Sequence, residues 1–310
     1  MDETDPWLIE FWTLAGVSML IMIVVIMYIY KFGRFNDLKT SLLFVLYLTV
    51  LIEEISYLPG AYNGNLGLCK FMGWLHYYSG FVNVLVIFLM SCHYFSVICG
   101  ERYQDFITDF IANYGFKFAA IFPLITLFPF LTDSYDETRG IWCSLPGDNE
   151  ISNTWAYTIF YVWVILFLFI ANLQFFYSIY RLWRVELNMR KRLFYSIGIY
   201  ILISTYAWIP RILMRIFDFN VQGSYNIANL ITTAQLYVSG LFYGLVFSLT
   251  DPIHGLPVVQ SDAKFHVDTI DIDLLSEALD GGDNEDDENG DEIEETLLRS
   301  SAAGGSSRRI

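Results

Sequence analysis

The sequence predicts an all-α membrane protein: a bundle of seven transmembrane helices, with the N-terminus outside and the C-terminus cytoplasmic. Three observations point there. The 310 residues are 55% hydrophobic and 16% charged, with mean hydropathy +0.44, a balance foreign to soluble globular domains of this length. Seven apolar stretches lie near 7–31, 38–59, 70–99, 116–132, 155–181, 192–217 and 225–250, and a helix crosses a bilayer with about 20 such residues. Lys and Arg fall unevenly between the connecting loops.

Each stretch must be helical, because lipid offers the backbone no hydrogen-bond partner. Aromatic residues gather towards the span ends, as interfacial belts do. The start, residues 1–6, is acidic and lacks a basic n-region, and the apolar run after it is too long for a signal-peptide core. It is expected to be a short extracellular N-terminus before a retained anchor, with no room for a folded outer domain. No Asn-x-Ser/Thr sequon occurs. The first, third and fifth loops hold Lys31, Arg34, Lys39, Arg102, Lys117, Arg181, Arg184, Arg190, Lys191 and Arg192, whereas the even loops hold Lys70 and Arg139. The odd loops are therefore expected inside. Net charge is −15, and residues 251–310 carry 16 acids and 4 bases. That segment reads as an acidic, disordered cytoplasmic tail after the 7–250 bundle, repelled by an anionic inner leaflet.

Cys69 opens the third stretch and Cys143 sits in the long polar loop on the same predicted outer side. A disulfide is expected between them, formed in an oxidising compartment. Cys92 and Cys99 lie towards the inner end and read as reduced packing residues.

Ionisable residues at membrane depth are functional candidates by default. Glu53 and Glu54 fall in the outer part of the second span. Arg211 and Arg215 fall at similar depth in the sixth, one turn apart on one face. Two readings stay open: a polar pocket in which Arg211 meets an anionic ligand group while a Glu positions it, or an internal ion pair with Arg215 reaching the headgroups. His76 and Asn83 join the pocket candidates, and His93, Asn172 and Gln174 complete the polar inventory. Helix-to-helix hydrogen bonding explains most such residues. Trp208 stands two residues before Pro210. Pro removes a helical hydrogen bond, so this is either a pivot or a static kink with Trp208 packed in the core. No Lys lies within a span interior, so a retinal Schiff base has no attachment point. The four His make no helical metal pair, and no phosphate-cradling Gly motif or nucleophile elbow occurs. No catalytic residue, metal, cofactor or nucleic-acid partner is expected.

Several short segments carry a resemblance. Leu193-Phe-Tyr195, Trp208-Ile-Pro210 with Arg215-Ile216, Trp142-Cys143, Ile121-Phe-Pro-Leu124 and Gly240-Leu-Phe-Tyr-Gly244 are spread over roughly residues 40–250. Together they resemble the G-protein-coupled receptors of the slime-mould cyclic-AMP-receptor type and their orphan relatives. Val50 departs from the pattern, standing where relatives tend to carry an Asp, as does Met90-Ser-Cys-His-Tyr-Phe95 at the inner end of the third helix. Glu101-Arg102-Tyr103 echoes the acid-Arg-Tyr motif of rhodopsin-like receptors, but Arg102 lies 33 residues after Cys69, too far along to sit beneath the bundle, and reads as chance.

The resemblance implies a receptor for an unknown small ligand, signalling through a heterotrimeric G protein. The basic loop with Arg184, Arg190, Lys191 and Arg192 would face that G protein. Plasma membrane is the expected location. The alternatives are a seven-span transporter or channel running past Glu53, Glu54 and Arg211, or a trafficking protein of endolysosomal membranes. Asp271-Ile-Asp-Leu-Leu275 and Glu294-Glu-Thr-Leu-Leu298 look like acidic dileucine signals for a sorting adaptor. Phosphorylation at Thr296, Ser300, Ser301, Ser306 or Ser307 would suit an arrestin-like partner.

Overall fold

Apolar runs this long must satisfy their own backbone, and helices dominate the result. The computed structural model describes residues 6–33, 35, 37–58, 65–99, 101–138, 142–146, 150–182, 198–216 and 224–250. Among these residues there are seven long helical segments: α1 Pro6–Phe32, α2 Leu38–Ser56, α3 Leu66–Cys99, α4 101–132, α5 150–182, α6 Ile199–Ile216 and α7 Ser224–Thr250. Five stretches are long and apolar enough to cross a membrane: Glu10–Phe32, Leu66–Ser96, Phe106–Thr132, Glu150–Arg181 and Ile199–Ile216. A shorter apolar helix, Ala234–Ser248, lies within α7. The chain is accordingly a multi-pass membrane protein. Arg184, Arg190, Lys191, Arg192 and the acidic tail, residues 251–310, lie outside the described residues.

Side-chain placement agrees with a lipid solvent. Leu20, Val24 and Met27 on α1, Leu131 on α4, and Phe169 and Phe176 on α5 all face outward. Such a surface is an aggregation liability in water and a normal one in hydrocarbon. α3 is the central helix: 78% of its apolar window is buried, against 28% for that of α1. It packs on α2, α4, α5 and α6. Around it Phe81, Phe122, Phe160 and Phe167 meet at ring separations of 5.4–6.3 Å.

Local signals set the helix starts. Asp37 caps α2, accepting from the Lys39 amide and the Thr40 hydroxyl. Asn65 accepts from the Leu68 amide at the start of α3. Both short polar side chains replace missing backbone partners.

The fourth helix differs from expectation. Its span was predicted over 116–132, but the helix begins at residue 101. Glu101-Arg102-Tyr103 therefore opens α4 and does not close α3. A π turn interrupts it at Ile111–Gly115, and the stretch Phe122–Thr132 winds as a 3₁₀ helix. Pro123 and Pro129 explain the tightening, because each lacks an N–H and crowds the preceding turn. Asp133 ends it in the left-handed region, φ 54°, a conformation Asp tolerates better than most residues. α5 carries a second π turn at Tyr157–Tyr161.

After α4 the chain makes a hairpin, β1 Asp136–Thr138 against β2 Trp142–Ser144, with Glu137 opposite Cys143. Cys143 is disulfide-bonded to Cys69, as predicted, with the Cα atoms 5.1 Å apart. A Cβ on Gly73 would lie 3.2 Å from the Cys143 backbone and the Tyr135 ring, so the missing side chain lets the hairpin ride on α3. Tyr135 donates its hydroxyl to the Thr126 carbonyl at 2.7 Å, and burial pushes its pKa up. Lys70 and Asp133 pair at 2.5 Å, but the Asp133 side chain is largely exposed and the pair contributes little.

Candidate functional site

The bundle's polar centre lies where α2 ends, beside the middle of α3 and where α6 passes its proline. Arg211 Nη1 donates to Glu53 Oε1 at 2.7 Å, and both side chains are at least nine-tenths buried. Asn83 Nδ2 of α3 donates to the other carboxylate oxygen, Glu53 Oε2, at 3.4 Å. One carboxylate therefore holds three helices together. The Arg211 guanidinium lies 4.9 Å over the Trp208 ring and 6.0 Å from that of Tyr57. Stacking on aromatic faces shields the cation from lipid and adds cation–π attraction. His76 stacks on Tyr57 at 4.4 Å. Of the predicted pocket residues, Glu53, Asn83, Arg211 and His76 thus gather here with Trp208.

Trp208 has a built seat. A Cβ on Gly80 would fall 2.9 Å and 3.0 Å from two Trp208 ring carbons and 3.4 Å from Glu53 Oε1. Gly80 is what lets the indole and the carboxylate approach α3. Phe160 of α5 closes the other side at 5.4 Å.

Pro210 lies inside continuous helix. It has no N–H for the carbonyl four residues back, which is that of Tyr206. Gln235 Nε2 of α7 donates to that carbonyl at 2.6 Å. The carbonyl freed by the proline is answered from the neighbouring helix. Gln235→Leu leaves it unpaired and should destabilise the bundle by about 1–3 kcal/mol. Thermal unfolding of purified protein checks this, and an unchanged midpoint would mean that water takes the amide's place.

Two candidates face elsewhere. Arg215 Nη2 donates to the Leu145 carbonyl at 3.2 Å, and its own carbonyl accepts from the Tyr157 hydroxyl. It ties the end of α6 to α5 and to the segment after the hairpin. Glu54 turns to α1, where the Ser18 hydroxyl lies 2.6 Å from Oε1. The remaining polar residues join helices, the role most such residues take: Asn172 bonds Thr205 at 2.9 Å, Gln174 bonds Ser91 at 2.9 Å, and His93 contacts Thr108 at 3.4 Å.

Arg211 Nη2, Asn83 Oδ1, His76 Nδ1, Glu54 Oε2 and Trp74 Nε1 are buried with no partner among the described residues. The first two hang on the same Glu53 carboxylate. A guest with one acceptor and one donor would satisfy both, which unpaired buried groups favour. No group of three or more metal-binding side chains occurs among the described residues.

Sequence reasoning missed Gly80, Tyr57, Gln235 and Ser18. Gly and Ser inside apolar runs are general signals of close helix approach, but sequence alone does not say which helices meet there. No protein-family model matches the chain, and no curated protein is similar to it.

Proposed function

We propose that this protein is a seven-transmembrane receptor of the cyclic-AMP-receptor-like kind, in the plasma membrane with its N-terminus outside. On this reading a small ligand enters the bundle at the Glu53–Arg211–Asn83 cluster, and the rearrangement passes along α6 to a heterotrimeric G protein at the cytoplasmic face. The observation that carries it is the ion pair's position. Arg211 directly follows Pro210, one turn from Trp208, so a ligand that competes for Arg211 or Glu53 acts where α6 has a broken hydrogen bond. It can shift α6 only by binding one arrangement more tightly than the other. The uneven Lys and Arg distribution supports the orientation.

Nucleotide exchange on a panel of purified G proteins tests this, with protein reconstituted in vesicles. Wild type should accelerate exchange on at least one of them. Trp208→Ala, which empties the seat against Gly80, should change that rate several-fold per folded molecule. Wild type inactive on every G protein sinks the coupling. An active wild type with an unaffected Trp208→Ala leaves Pro210 a static kink.

A further inference from the structure

Glu54 follows Glu53 but has other neighbours, and the cluster around Arg211 does not use it. Its side chain is wholly buried, as is Ser18 of α1. Oε1 lies 2.6 Å from Ser18 Oγ, and Ser18 Oγ lies 3.1 Å from the backbone carbonyl oxygen of Tyr237 on α7. A serine hydroxyl has one proton to give, and a carbonyl only accepts. If Glu54 is ionised, Ser18 can donate to the carboxylate or to Tyr237, but not to both. If Glu54 carries a proton, Oε1–H donates to Ser18 and Ser18 donates to Tyr237. Only the protonated form fills both contacts with one-way hydrogen bonds.

Charge balance favours the same form. An ionised buried carboxylate needs a cation or several donors. Arg211 is already bonded to Glu53. Among the described residues, the other titratable groups around Glu54 offer no cation beside it: Glu53 on α2, Tyr57 at the end of α2, and Tyr237 on α7, whose hydroxyl is committed to the Tyr57 carbonyl at 3.2 Å. His76 on α3 lies against the Tyr57 ring. α1 contributes Ser18. The floor is the α7 backbone, since a Cβ on Gly240 would stand 2.1 Å from Glu54 Oε1 and 2.4 Å from Ser18 Oγ.

We propose that Glu54, Ser18 and the Tyr237 carbonyl form a proton-binding site joining α1, α2 and α7. The proton is held while the three helices are packed as described. Removing it leaves a carboxylate with one donor between apolar helices, and the contact with α7 opens. The packed state binds one proton more than a state in which Glu54 meets water, so the packed state weakens as pH rises. This holds whether or not the protein signals to a G protein.

Infrared spectroscopy of the purified full chain, at neutral pH and across a pH series, tests it. Wild type should show the C=O stretch of a buried protonated carboxyl at neutral pH. Glu54→Gln should abolish that band, and Glu53→Gln should leave it. Ser18→Ala should shift the band towards that of a carboxyl without a hydrogen bond, which serves should Glu54→Gln fold poorly. The thermal midpoint of wild type should fall as pH rises, with a slope that Glu54→Gln reduces. No protonated-carboxyl band in wild type, or a band that ignores both Glu54→Gln and Ser18→Ala, overturns the proposal. So does a band that sodium ions remove while raising the midpoint, since the site would then hold a metal cation.

Discussion

Arg211→Ala is expected to cost the fold about 3–5 kcal/mol, because it strands the buried Glu53 carboxylate without its cation. The loss comes from the partner left behind more than from the pair itself. Asn83 supplies one long hydrogen bond to Glu53 and cannot replace a guanidinium. Glu53→Ala should cost a similar amount, since it leaves Arg211 with only the faces of Trp208 and Tyr57. The double change Glu53→Gln with Arg211→Met should recover most of the stability, because neither charge then remains buried. Thermal unfolding of the four proteins in one detergent makes the comparison. If the double variant is no better than Arg211→Ala, the pair's geometry and not its charge holds α2 to α6. If Arg211→Ala loses less than about 1 kcal/mol, water reaches Glu53 and the centre is wetter than its burial implies.

Cys69→Ser should be nearly as damaging, at roughly 2–5 kcal/mol. The bond closes a sequence separation of 74 residues, so most of its effect is on the unfolded chain, which it keeps from spreading. Locally it holds β2 against the first turn of α3, where Gly73 already brings the hairpin close. Cys143→Ser and the double serine variant should match Cys69→Ser within error, since each removes the same link. Their thermal midpoints, beside that of wild type under strong reductant, measure it. Serine variants of unequal stability would show that one cysteine has a role apart from the bond.

The sequence revealed the helices and the bond, and concealed the pairings. Apolar length dictated α1, α3, α5 and α6, because nothing but a helix satisfies a backbone in lipid. α4 began earlier than hydropathy suggested, because Glu101–Phe110 is polar on average yet still helical. Glu53 and Arg211 stood out as charges in apolar runs, but their partnership was one of several arrangements. Glu54 showed the limit most clearly. Adjacent residues on a helix point about 100° apart, so two glutamates that look like one feature in the sequence serve different helices. Gln235 could not be linked to Pro210 because 25 residues separate them and the link goes to the Tyr206 carbonyl, which has no sequence signature.

The two π turns govern which changes in length the chain can absorb. A π turn holds one residue more than an α turn. Deleting one residue within Tyr157–Tyr161 should let that turn relax to an ordinary α turn, with the helix on both sides keeping its rotation. The same deletion just after Val162 should turn the rest of α5 by about 100°. Phe169 would then take the place of buried Leu168, and Phe176 that of buried Phe175, pressing lipid-facing rings into the core. One missing codon could therefore be silent or ruinous within a few positions, and Ile111–Gly115 gives α4 a second such slack point.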